Sequence, residues 1–191
     1  MGRAEIWALL LSPAVLCGQQ FFPPGTLDND ARYSSVLKAL HEPSLWDLSQ
    51  QDASAEVYRF LWIRSFHHPI AVRLVVRPGG SGWLHVHVTS GQGGYEPGRT
   101  IRDRMSWMTN GKTQSLVRAF NNADFWNLPA TNSGAPGTVG LDGAQWIFEG
   151  VQLGKYHVID RWSPGPGDPV RGVGMLALEL GRFRIRPQEI Y

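Results

Sequence analysis

The sequence has little of three features that often reveal a function: cysteine, net charge and long apolar runs. Its 191 residues include one cysteine, Cys17, so the rest of the chain has no disulfide, thiolate metal site or cysteine nucleophile. The formal net charge of +2 provides no overall field that would attract nucleic acid or an anionic membrane surface. We therefore expect no nucleic-acid partner.

The longest apolar run is N-terminal and covers residues 6–16. It is shorter than the roughly 20 residues that a membrane-spanning helix needs, which predicts a signal peptide over residues 1–18. The mature chain would then be exported to the periplasm or the extracellular space, with no transmembrane segment. Ala14 to Cys17 also resembles a lipoprotein box, in which an acylated Cys17 would anchor the protein in the envelope. A buried N-terminal helix is a third interpretation.

The mature chain reads as a proline-rich extended leader over residues 19–27, followed by a single domain over residues 28–191. Helical spacing of apolar residues predicts helices over 30–41, 112–121 and 170–180, with a further turn at 44–48. Alternating or β-branched runs predict strands over 56–66, 70–77, 83–89, 100–109, 144–149 and 155–162. Short turns between strands favour antiparallel pairing. The expected fold is α+β, with an antiparallel sheet of about six strands and two or three helices packed on one face.

His85 and His87 form the sharpest candidate site. Strand alternation directs Leu84 and Val86 inward and places both imidazoles on the other face, about 7 Å apart at Cα, where they could chelate one zinc ion. A third ligand would have to come from His157, Asp103 or Glu149. The same outer face is expected to carry a set of basic side chains and to meet solvent or a partner: Arg73, Arg77, His85, His87, His157 and Arg161.

The stretch from Lys155 to Pro164 is the most distinctive in composition. One interpretation is a ligand-binding surface, in which the Arg161 guanidinium lies beside the aromatic ring of Trp162. The alternative is that the aromatic side chains pack in the core. The sequence contains neither a Gly-x-Ser-x-Gly elbow nor a phosphate-binding glycine loop, so no catalytic set is recognisable.

Three segments of the C-terminal half carry a resemblance: FWNLP, GLDGAQWIFEG and GKYHVIDRWSP. Together they resemble a small group of uncharacterised bacterial exported proteins. The resemblance covers about half of the mature chain. It implies no activity and no cofactor, and it assigns no role to any residue.

These observations predict an exported, non-catalytic domain that binds an unknown protein or small ligand through its exposed sheet face. The expected binding residues are His85, His87, His157, Arg161 and Trp162. A metal-dependent hydrolase that uses zinc on His85 and His87 is one alternative. A purely structural envelope protein is the other.

Overall fold

The computed structural model describes residues 20–131 and 142–191 and has the α+β fold that the sequence predicts. The helices are α1 (Asp30–Ala39), α2 (Leu45–Gln51), α3 (Asn110–Asn122) and α4 (Pro169–Leu180). The strands are β1 (Glu56–Arg64), β2 (Ile70–Val76), β3 (Gly82–Thr89), β4 (Thr100–Met108), β5 (Ala144–Gln152) and β6 (Lys155–Trp162). The predictions of a signal peptide and of a modification at Cys17 lie outside the described residues.

The six strands form one antiparallel sheet in the order β4-β3-β2-β1-β5-β6. The first four follow one another as a meander, and the β5–β6 hairpin pairs with the free side of β1. β1 and β5 therefore lie at the centre, whereas β4 and β6 form the two edges. Leu153 and Gly154, both with positive φ, make the two-residue turn of the β5–β6 hairpin.

Helices cover both faces of the sheet, whereas the sequence pattern predicts them on one face. α3 and α4 pack on the first face, against an apolar layer that includes Phe60, Val86 and Phe148. α1 and the N-terminal segment pack on the second face, against Leu61, Ile147 and their neighbours. The central strand β1 is consistent with cover on both faces, because residues 57 to 64 are all buried and the strand has no exposed polar side.

The N-terminal segment is part of the packed domain. Phe21 and Phe22 are buried in the second apolar cluster beside Tyr33, and the Phe22 and Tyr33 rings meet edge to face at 6.4 Å. The Ser44 hydroxyl donates a hydrogen bond to the Gln20 carbonyl oxygen at 2.5 Å. No helix in the described part of the chain has the length and apolar character needed to cross a membrane.

Helix α4 begins where the sequence predicts. The Asp168 carboxylate accepts a hydrogen bond from the Val170 backbone N–H at 3.0 Å, and Pro169 occupies the first turn. The helix then approaches the sheet closely at Gly174, where a Cβ atom would lie 2.4 Å from the Trp146 ring. A larger residue at position 174 would therefore force the helix and the sheet apart.

Candidate functional site

A buried group of charged side chains lies on the second face of the sheet. We call Glu42, Arg59, Arg73, His87 and Glu149 the Glu42 cluster; none of them is more than 8% exposed. Arg59 Nη1 and Arg73 Nε donate to Glu42 Oε2 at 3.2 and 2.8 Å, and Arg59 Nε donates to Glu149 Oε2 at 2.7 Å. Ion pairs therefore connect strands β1, β2, β3 and β5 with the loop that follows α1.

The turn at the end of α1 positions Glu42 against the sheet. His41 has a φ of 56°, and the backbone N–H groups of His41 and Glu42 return to the Lys38 and Leu37 carbonyls at 3.0 Å each. This is the Schellman arrangement, which usually places glycine at the left-handed position. Pro43 follows, and Ser44 then caps α2 by accepting from the Asp47 N–H. This short connection directs the Glu42 carboxylate toward the sheet, where it contacts side chains of β1, β2 and β3.

The surroundings of Glu42 keep it ionised. Burial alone would raise the pKa of its carboxyl group, but Arg73, His87 and Arg59 together lower that pKa far below its ordinary value. Glu149 differs, because burial raises its pKa despite the opposing effects of Arg59 and of the hydrogen bond from the Tyr156 hydroxyl. The charged side chains of the cluster are stabilised by pairing with one another and not by contact with water.

His87 connects this cluster to the surface. Its Nδ1 lies 2.7 Å from Glu42 Oε1, and its Nε2 lies 3.1 Å from an oxygen of the exposed Asp103 carboxylate. Burial alone would lower the pKa of His87, but hydrogen bonding and charge attraction from Glu42 raise it. A protonated His87 donates a hydrogen bond to each of the two carboxylates. The three cations Arg59, Arg73 and His87 then equal in number the three anions Glu42, Glu149 and Asp103.

Among the described residues, no helix covers the part of this face that lies over β3 and the middle of β4. Four apolar side chains form what we call the β4 patch: Trp83, Ile101, Met105 and Trp107. Ile101, Met105 and Trp107 are 53%, 50% and 47% exposed, and the two tryptophan rings meet edge to face at 5.0 Å. The half-buried His85 pairs with Met105 across the strands, and the Arg77 guanidinium lies 5.6 Å from the centre of the Trp107 ring.

The two edges of the sheet are treated differently. On β6, the Asp160 N–H donates to the Ala130 carbonyl oxygen, and Arg161 donates to the carbonyl oxygens of Pro129 and Ala130. The segment ending at Thr131 therefore covers that edge. On β4, no turn, loop or side-chain hydrogen bond within the described ranges reaches the backbone N–H or C=O groups of residues 101–108. The described part of the chain leaves their outward-facing hydrogen-bonding groups open.

The predicted binding residues do not form one site. His85 and His87 are neighbours, with ring centres 6.4 Å apart, but Arg73 and His87 are buried rather than exposed. His157 and Arg161 pair with Gly150 and Trp146, which places them on the opposite face, with α3 and α4. The expectation of a single exposed face is wrong on this point. β3 and β6 are also four strand spacings apart in the sheet, which is about 19 Å.

The residues at the β6 edge serve packing. The His157 ring lies 4.9 Å from the centre of the Phe125 ring, and its Nε2 is 3.0 Å from the Leu128 carbonyl oxygen. Arg161 is 3% exposed, and its donors are directed to backbone carbonyls. Trp162, at 37% exposure, lies against Gly143 at the end of the strand. The buried Val158 agrees with the packing interpretation of this stretch, whereas the exposed Trp162 does not lie in the core.

The two strand histidines offer an unfavourable start for a metal site. Both ring nitrogens of His87 already have carboxylate partners, so a metal ion would have to displace one of them. Burial, Arg73 and His87 lower the pKa of His85 to about 4, which leaves that ring neutral at pH 7. Across residues 20–131 and 142–191, no group of three or more His, Cys, Asp or Glu side chains is placed to hold a metal ion.

The centre of the charged cluster and the apolar patch are not among the residues that the sequence pattern predicts as a site. Arg59 and Glu149 lie within runs of buried apolar residues, and an ionisable residue in such a run signals a buried charge that needs a partner. Trp107 and Met105 alternate with Ser106 and Arg104, which is the pattern of a strand with one apolar side. Glu42 carries no comparable local signal, because its partners are 17 or more positions away.

Neither a protein-family model nor a curated protein sequence matches this chain.

Proposed function

We propose that this protein is a non-catalytic binding domain whose partner is a polypeptide that covers the β4 patch. The proposal rests on the exposed side chains of Ile101, Met105 and Trp107, which lie on one side of an edge strand. Isolated exposed apolar residues are common on protein surfaces, but a group of adjacent ones, such as Met105 and Trp107 beside the half-buried Trp83, marks an interaction site.

The composition of the patch favours a polypeptide over a small molecule. Tryptophan, methionine and arginine are enriched at the centres of protein interfaces, and Trp83, Met105, Trp107 and Arg77 occur together here. The patch lies on an open strand surface, whereas small-molecule sites are usually concave and enclose most of their ligand. The Glu42 cluster, on the same face beside the patch, supports it by holding β3 in place through His87.

The domain is expected to act after export. Cleavage after Cys17 or Gly18 would leave Phe21 and Phe22, which are 1% and 2% exposed, in the mature chain and so preserve their packing. Intact mass of the purified mature protein tests this expectation. A chain beginning at Gly18 or Gln19 supports cleavage, and an acylated N-terminal Cys17 would instead indicate an envelope anchor.

Site-specific photocrosslinking tests the binding function. A benzophenone amino acid placed at position 105 should crosslink a protein that the same probe at position 153 does not capture, since Leu153 is exposed on the distant β5–β6 turn. The captured protein, once purified, should bind the Trp107→Ala variant about tenfold more weakly than wild type, as expected when an interface anchor is truncated. Tyr95→Ala, which removes an exposed ring elsewhere, is the control. Identical crosslinks at positions 105 and 153, or none at position 105, would disprove the proposed surface.

A further inference from the structure

The open edge of β4 adds a feature that the apolar patch alone does not explain. Antiparallel edge strands with unpaired N–H and C=O groups can accept an additional strand from a partner. The opposite edge shows that this chain can cover such groups, because residues 129–131 do so for β6. On β4, residues 101–108 have no corresponding cover in the described ranges.

The two sides of β4 have different chemistry. The side that faces the β4 patch carries Ile101, Asp103, Met105 and Trp107, whereas the side toward α4 carries Arg102 and Arg104. Both arginines donate to the Gly181 carbonyl oxygen at the end of α4, at 3.3 and 2.9 Å. This contact holds the two guanidinium groups close together beside the exposed Arg182.

No acidic side chain of the described residues pairs with this arginine group. Within the described residues, no carboxylate lies within 4.0 Å of Arg102, Arg104 or Arg182. The nearby Asp103 is directed instead to His87. Burial, together with the charges of Arg102 and Arg182, lowers the pKa of Arg104, as expected where like charges are crowded. An anionic group from outside would relieve this repulsion.

We propose that the partner contributes an extended segment in which acidic and apolar residues alternate, and that this segment adds to the sheet as a strand beside β4. Residues directly opposite each other in neighbouring strands share a face of the sheet. The acidic side chains of the segment therefore meet Arg102 and Arg104, and its apolar side chains extend the row of Ile101, Met105 and Trp107. This inference rests on the proposed binding function and specifies the class of partner.

A second copy of this chain fits the same edge less well in the two registers centred between or on the arginines. In the antiparallel self-pairing centred on Asp103, Arg102 of one copy would lie opposite Arg104 of the other. In the pairing centred on Arg104, that residue would face its own copy. Directly opposed like charges destabilise a strand pair. An acidic segment has no such conflict.

Two seven-residue peptides provide a direct test: capped Val-Glu-Val-Glu-Val-Glu-Val and the same peptide with lysine in place of glutamate. Isotope-labelled protein is titrated with each peptide, and backbone amide shifts and hydrogen exchange are followed by NMR. The glutamate peptide should shift and protect amides of β4 and should bind at least tenfold more tightly than the lysine peptide. Its affinity should fall with added salt. A glutamate peptide with N-methylated backbone positions should lose binding, because it cannot form the strand ladder.

Variants identify the residues responsible. Arg102→Gln combined with Arg104→Gln should weaken glutamate-peptide binding about fivefold, whereas Arg118→Gln, at an exposed position of α3, should leave it unchanged. Because Arg102 and Arg104 also contact Gly181, thermal unfolding of the double variant is measured alongside. The comparison of glutamate and lysine peptides on wild-type protein does not depend on that variant.

The outcomes separate the two proposals. Equal binding of both peptides, with binding still lost in Trp107→Ala, would overturn the acidic partner and leave the binding surface intact. Retained binding of the N-methylated peptide would overturn strand addition. If neither peptide shifts a β4 amide and the photocrosslink at position 105 is also absent, the binding function itself fails. A wild-type dimer that Trp107→Ala dissociates would assign the edge to a second copy.

Discussion

Replacing Glu42 by glutamine should be among the most destabilising single changes in this domain. The substitution keeps the shape and one acceptor oxygen, but it removes the negative charge that Arg59, Arg73 and His87 share at 2.7 to 3.2 Å. Removing one partner from a buried ion pair costs about 3–5 kcal/mol, because the remaining charges stay buried without compensation. We expect Glu42→Gln to lose an amount in this range at pH 6, out of a total stability of roughly 5–15 kcal/mol.

Urea unfolding followed by tryptophan fluorescence and circular dichroism measures this loss by linear extrapolation. The corresponding fall in melting temperature is about 10 °C for a domain of this size. Glu56→Gln is a matched control, because Glu56 is only half-buried and accepts two neutral hydrogen bonds of 3.2 Å, from Tyr58 and Gln152. Its loss should stay below about 1 kcal/mol.

The pairing itself is tested by a double-mutant cycle. Without Glu42, the buried charge of Arg73 should destabilise the folded state. The loss of stability in the double variant Glu42→Gln, Arg73→Gln should therefore be smaller than the sum of the two single losses, by about 1 kcal/mol or more. Strict additivity, or a Glu42→Gln variant within about 1 kcal/mol of wild type, would refute the view that Glu42 organises the cluster.

Two further predictions concern a proton and a contact. The pKa of His87 is raised in the folded state, so its stabilising effect is fully present below the unfolded value of about 6.5 and is lost as pH rises through the folded value. The stability difference between wild type and His87→Gln should therefore shrink between pH 6 and pH 9, and a difference independent of pH would contradict a protonated His87. Gly150→Ala should lose about 1–3 kcal/mol in thermal or urea unfolding, since its Cβ would lie 2.8 Å from Phe125 and 3.0 Å from Trp126. Gly172→Ala, at an open position of α4, should instead gain about 0.5–1 kcal/mol, and equal effects of the two changes would argue against the packing described for Gly150.

Local signals account for the parts of the fold that could be predicted from sequence. The alternation in β3, the Asp168-Pro169 start of α4 and the short turns between strands each depend on a few neighbouring residues, and the structure confirms all three. The strand predicted over residues 83–89 differs from β3 by one residue at its start. Periodicity was informative here because one side of β3 is apolar.

The face of each strand could not be predicted where both faces are covered. Val158 and Ile159 are adjacent, apolar and buried, so alternation gives no phase for β6, and His157 and Arg161 were placed on the wrong side. Glu42 was missed for another reason. Its role depends on three strands that meet only in the folded sheet, and nothing within a few residues of it announces that contact.

The buried charges also constrain how the strands may be aligned. In the native register Arg59 lies opposite Arg73 and Glu149, all on the side of the sheet that Glu42 enters. A slip of one residue between β1 and either neighbour would turn a charged side chain into the apolar layer beneath α3 and α4. A slip of β2 would leave Glu42 facing Val72 or Leu74 in place of the Arg73 guanidinium. A register slip therefore costs more free energy in this sheet than in a sheet whose buried side chains are all apolar, which disfavours misaligned hairpins during folding.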